Sequence, residues 1–100
     1  MTPLAIFIVE DKAGRASRAL EVASAAAALG RQVSVFFSWP SVILFDCCRD
    51  EIATALELGV KMTACATGLA DHAEIAPEGV AAGGMISFLA ANPDAQLLAV

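Results

Sequence analysis

Two alternating spacings of apolar residues divide this 100-residue chain. Leu4–Val9 is continuously apolar and β-prone, the pattern of a strand buried on both faces of a sheet. It stops at Glu10-Asp11-Lys12. From Gly14 to Leu29 the spacing is helical. Arg15, Ser17, Arg18, Glu21 and Ser24 mark one face, while Ala16, Leu20, Ala23 and Ala27 make a buried stripe that Val22, Ala26 and Leu29 widen. Gly30 ends this helix. Val33–Phe37 is a second strand, and the strand–helix–strand run fits a right-handed βαβ unit.

Ser38-Trp39-Pro40-Ser41 breaks that strand and can start a helix, with Ser38 as cap and Pro40 in the first turn. Val42-Ile43-Leu44-Phe45 follows, apolar on every side. A short element that is hydrophobic all round needs cover on all sides. Trp39, Val42, Ile43, Leu44 and Phe45 are therefore the expected subunit interface, the alternative being a plug on the chain's own sheet. Asp46 to Leu58 reads as a second helix, with Asp46 or Asp50 as cap and Gly59 as stop. Val60–Cys65 is the third strand. Val60, Met62 and Ala64 share one face, and Lys61, Thr63 and Cys65 share the other. Ala66 to Ala81 lacks strong periodicity apart from a turn near Leu69–His72, and reads as a long loop. Gly83 to Ala91 is the third helix, halted by Asn92-Pro93, and Ala95–Val100 is a final strand. The sum is one α/β domain over residues 1–100, with four mainly parallel strands and about three helices. Order 2-1-3-4 would place a switch point between the first and third strands, beside Cys65 and the Glu10-Asp11 turn.

Composition changes this picture in three ways. The hydrophobic fraction of 58% stands above the usual figure of about 45–50%. That surplus points to a homo-oligomer, because so small a monomer cannot hide it all. Six basic residues stand against eleven acidic ones, a net charge of −5, with no basic cluster. Nucleic acid and anionic membrane surfaces are thus excluded as partners. Three cysteines, an odd number, follow an N-terminus with no positive region before Leu4, which points to free thiols in a reducing cytoplasm.

Candidate chemistry is sparse. The chain has no glycine-rich phosphate cradle, no C-x-x-C, no G-x-S-x-G elbow and no tyrosine. Nothing implies a cofactor. The three cysteines and one histidine fit no familiar zinc spacing, so no metal is expected. Cys65 ends a strand and opens into a Thr67-Gly68 turn. It reads either as a nucleophilic or sulfur-carrying thiol at the sheet edge, or as a buried core cysteine. Cys47 and Cys48 are candidate resolving thiols at the same edge, the alternative being one packed inward and one idle. His72 could accept a proton from the thiol, or simply lie on the surface. Glu10, Asp11 and Asp71 read as solvated turn residues or caps.

Ala55-Leu56-Glu57-Leu58-Gly59-Val60-Lys61-Met62-Thr63-Ala64-Cys65 resembles the segment of DsrE/DsrF-like proteins in which "A-x-E-x-G-V-K" leads to a strand-terminal cysteine. Ile75, Glu78-Gly79-Val80, Gly83-Gly84 and Phe88-Leu89 continue the resemblance, and Val33–Phe37 looks like that family's second strand. The resemblance implies a three-layer DsrE-like α/β sandwich that assembles into homo-oligomers, a trimer or hexamer. Some members relay sulfur as a cysteine persulfide, in sulfur oxidation or tRNA thiolation, whereas others are only peroxiredoxin-like. Cys65 matches the sulfur-acceptor cysteine by position. The expected function is cytoplasmic sulfur relay with Cys65 as persulfide carrier, supported by His72 and by the turn at Thr67 and Gly68. The expected partner is another sulfur-carrier protein. The alternatives are a non-catalytic binding or assembly module, and a thiol peroxidase in which Cys47 or Cys48 resolves Cys65.

Overall fold

The computed structural model describes all residues from Met1 to Val100. In chain order the elements are β1 (Leu4–Ile8), α1 (Ala13–Ala28), β2 (Val33–Phe37), a 3-10 turn (Ser41–Leu44), α2 (Arg49–Glu57) and β3 (Lys61–Cys65). Then follow α3 (Ala66–Asp71), β4 (Val80–Gly83), α4 (Met85–Ala91) and β5 (Gln96–Ala99). All strand pairs are parallel, and the sheet order is β4-β3-β2-β1-β5.

Two expectations about the sheet are corrected. The segment read as a long loop contains both α3 and an additional strand, β4, giving five strands and four helices rather than four and three. The order 2-1-3-4 does not hold either: β3 pairs with β2 and β4, and the last strand pairs with β1. The chain steps outward from β1 to β4 and then returns across the sheet to β5. The direction reversal therefore lies between β1 and β5, not beside Cys65.

Right-handed crossovers explain where the helices fall. Three successive steps in one direction put their connections on one face, and the return step puts its helix on the other. Leu4, Ile6 and Ile8 of β1 form a large core with Val33, Val35 and Phe37 of β2, Met62 and Ala64 of β3, and the inner residues of α1 and α2. Leu69 of α3 packs on that same core. Ser17 Oγ donates to Glu51 Oε2 at 2.8 Å, tying α1 to α2 and holding the Glu51 carboxyl below its ordinary range. The opposite face is thinner. There Ala5 and Phe36 meet Phe88 of α4, and Phe7, Cys65 and Ala95 pack at the border. Phe7, Phe36 and Phe88 form an aromatic trio with centroids 5.2–6.1 Å apart.

The apolar segment after β2 is a plug. Val42, Leu44 and Phe45 are buried in the main core, with Phe45 edge-on to Phe37 at 5.2 Å. That corrects the expectation that they form a subunit interface; of the five residues, only Trp39 and Ile43 are exposed. The all-round hydrophobic pattern correctly demands burial, and the chain's own α1, α2 and sheet supply it. Ser38 closes the top of β2, its single O–H shared between Ile8 O at 2.7 Å and Val9 O at 2.9 Å. Apolar surface is left open elsewhere, on Met85, Ile86 and Leu89 of α4 and on Leu97 and Leu98 of the edge strand β5. No helix is long and apolar enough to cross a membrane.

Candidate functional site

Gly59, at φ +91°, turns the chain from α2 into β3, and the strand delivers Cys65 to its carboxyl end. Alternation keeps Lys61, Thr63 and Cys65 together, as the sequence indicates, and the structure puts them on the α4 side while Met62 and Ala64 enter the main core. Cys65 is partly buried and is also the N-cap of α3. Its Sγ accepts a hydrogen bond from Gly68 N–H at 3.4 Å. The first turn of a helix has N–H groups without intrahelical partners, so a sulfur at the cap position satisfies one of them.

Gly68 holds this geometry for a steric reason. It is buried, and a Cβ there would stand 2.9 Å from both the Cα and the O of Trp39. Only a residue without a side chain lets α3 approach the Trp39 backbone so closely. The Trp39 indole clamps the other end of α3, its Nε1 donating to Asp71 Oδ2 at 2.8 Å and its ring 4.3 Å from that of His72. Thr67 sits exposed on the outer side of this helix.

The other candidates separate from Cys65. His72 is the C-cap of α3, seven residues on, or about 10 Å of helical rise away. Its ring lies against Trp39, with Nε2 buried and unbonded. The expectation that it supports the thiol is therefore corrected. Asp71 is likewise taken up by Trp39. Cys48 is 1% exposed in the main core, so the sheet lies between it and Cys65, which rules out the resolving role expected of it. Burial and its neighbour Cys47, 3.8 Å away sulfur to sulfur, push the Cys48 thiol from 9.0 up to about 12. At neutral pH it is a protonated core residue and a poor nucleophile. Cys47 is exposed on the α2 approach, its Sγ donating to Leu44 O at 3.3 Å, and neither it nor Cys48 is bonded to Cys65. All three cysteines are free.

The Cys65 face also carries an open depression that the hydrophobic pattern does not announce. A cleft runs beneath α4 across β2, β3 and β4, lined by Ser34, Lys61 and Thr63 from the sheet and Ser87 from the helix. The available signal is Lys61 itself, a charge in an otherwise apolar strand, in phase with Cys65.

A parallel five-stranded sheet with helices on both faces makes this an α/β sandwich. Solved structures agree on the fold. The chain superimposes on the YchN protein of E. coli with a TM-score of 0.84 over 100% of both chains, at 14% identity. It matches a conserved protein of unknown function from Bacteroides thetaiotaomicron with a TM-score of 0.83, over 98% of this chain and 94% of that one, at 17% identity. No family model matches the sequence, and no curated protein matches it.

Proposed function

We propose that the protein is a cytoplasmic sulfur carrier whose working group is the Cys65 thiol. The observation that carries this reading is the position of that thiol: partly open at a strand end, with a backbone N–H aimed at its sulfur. Cys48 is sealed in the core, and exposed Cys47 donates its thiol to Leu44 O and receives no backbone N–H, which favours Cys65 as the working thiol. The Cys65 sulfur attacks the outer sulfur of a donor persulfide R–S–SH. The donor's S–S bond breaks, R–SH leaves with the proton, and Cys65 holds the new S–SH. Attack on that outer sulfur by the thiol of a second sulfur-carrier protein reverses the step. Nothing is oxidised or reduced overall, and no cofactor is needed. Incubation with inorganic polysulfide followed by intact-mass measurement is the test. The wild type is expected to gain about 32 Da per persulfide sulfur, and Cys65→Ser to gain none. An adduct that persists in Cys65→Ser overturns the assignment.

The assembly-module reading draws on a separate observation, the apolar surface of α4 and β5. Ile86 is 85% exposed and Leu97 57%, and open apolar strand edges invite pairing. A homo-oligomer, trimer or hexamer, that covers this surface fits both readings. Sedimentation of the wild type is then expected to give a multiple of 10.3 kDa, and Ile86→Glu to shift it toward the monomer. A monomeric wild type contradicts the assembly.

A further inference from the structure

We infer that the cleft beneath α4 is a binding site for a small organic anion with an apolar body, its charged end held by Lys61. The cleft has a volume of about 390 Å³, within the range of about 300–1,000 Å³ typical of small-molecule sites. Its chemistry departs from that of the whole chain. The protein carries eleven acidic residues and a net charge of −5, yet none of the fourteen lining residues is acidic and one is a lysine. Arg15, Arg18 and Arg49 are each paired with a carboxylate, and Arg31 bonds Thr2 O and Gln96; Lys12 and Lys61 have no such partner, and of these two Lys61 lines the cleft.

The hydroxyls around Lys61 are uncommitted too. Ser34, Thr63 and Ser87 in the cleft bond no protein group; other surface hydroxyls, such as Ser24 and Thr54, are unbonded too, but these three line the same cleft as the lysine. Register places them together: Ser34 is the direct cross-strand partner of Lys61, and Thr63 stands two residues further on the same face. A cation flanked by free hydroxyl donors binds a carboxylate or related oxyanion through charge-assisted hydrogen bonds. Phe88 and Ala91 of α4 supply the apolar side. At its upper end the cleft reaches Gly83, the register partner of Cys65, so a ligand anchored at Lys61 extends toward the thiol edge.

The test uses benzoate as the probe and benzamide as its uncharged equivalent in shape, with the full chain followed by amide-resolved NMR. Benzoate is expected to shift the amides of Lys61, Thr63, Gly83 and Ser87 in a saturable way. Benzamide on the wild type, and benzoate on Lys61→Gln, are expected to bind about tenfold more weakly, the size of one lost charge-assisted bond. Lys61→Arg is expected to keep affinity within a few-fold. Equal binding of benzamide and benzoate overturns the site, as does an unchanged titration in Lys61→Gln or an absence of shifts at the cleft. None of these readouts depends on Cys65, so the anion site and the sulfur chemistry stand or fall separately.

Discussion

Phe36→Ala is expected to destabilise the protein by about 3–5 kcal/mol, the usual range for deleting a buried phenylalanine. Phe36 is 1% exposed, and its ring lies 6.1 Å from Phe7 and 5.3 Å from Phe88. The α4 face makes this site unusually sensitive. The main core joins 21 buried residues, but the opposite face has only Ala5, Phe36 and Phe88. Removing the central ring takes away much of what holds α4 to the sheet. A domain of this kind has only about 5–15 kcal/mol of total stability, so the variant should lie close to unfolding. Urea denaturation followed by circular dichroism measures the loss. A midpoint within error of the wild type contradicts the account of the thin face.

Gly68→Val is expected to cost about 3 kcal/mol or more, at the upper end of overpacking effects. The obstacle is backbone: a Cβ alone comes within 2.9 Å of Trp39 Cα and O, and valine adds two methyls beyond it. Gly68→Ala makes a useful comparison. Alanine restores about 1 kcal/mol of helix propensity relative to glycine, so its net loss is smaller, though the clash still wins. Both variants push α3 away from Trp39 and withdraw the Gly68 N–H from Cys65 Sγ. Polysulfide loading at Cys65 should therefore slow in the folded fraction of Gly68→Ala. Wild-type stability in Gly68→Val contradicts the close approach.

The strands β1, β2 and β3 and the helix α1 are legible in the sequence because each has a strong periodic signal of its own. Leu4–Val9 is apolar throughout, and α1 repeats alanines and leucine every three or four residues. The grouping of Cys65 with Lys61 and Thr63 is legible too, since alternation along Lys61–Cys65 admits only two arrangements; which face meets the main core is decided by packing that the strand itself does not encode. β4 is hidden. Val80-Ala81-Ala82-Gly83 has a single β-branched residue, and small residues carry little strand preference. Gly83-Gly84 reads as the start of a helix, when the first closes β4 and the second caps α4. Strand order is hidden for another reason. The same alternation of strands and helices serves several orders, and only pairing across the sheet selects β4-β3-β2-β1-β5.

The site is legible in part. Cys65 and Gly68 are found from the strand end and the turn that follows, and the structure bonds them to each other. His72 and Cys48 are drawn in by nearness in sequence, but folding parts them from Cys65. A helix carries His72 to its far end, and a sheet places Cys48 on the other side. The Trp39–Phe45 segment shows the limit of a hydrophobic pattern. It reports that the residues are buried and is silent on whether the cover comes from the same chain.

The central claim is that Cys65, alone among three thiols in one molecule, takes up sulfur. Trypsin separates the candidates, because cleavage after Arg31, Arg49 and Lys61 leaves Cys47 and Cys48 on one peptide and Cys65 on another. Wild-type protein treated with limiting inorganic polysulfide, capped with an alkylating agent and digested, is expected to carry the additional sulfur on the Cys65 peptide. The Cys47–Cys48 peptide should remain without it. Sulfur found first or equally on the Cys47–Cys48 peptide, or on neither peptide, contradicts the claim.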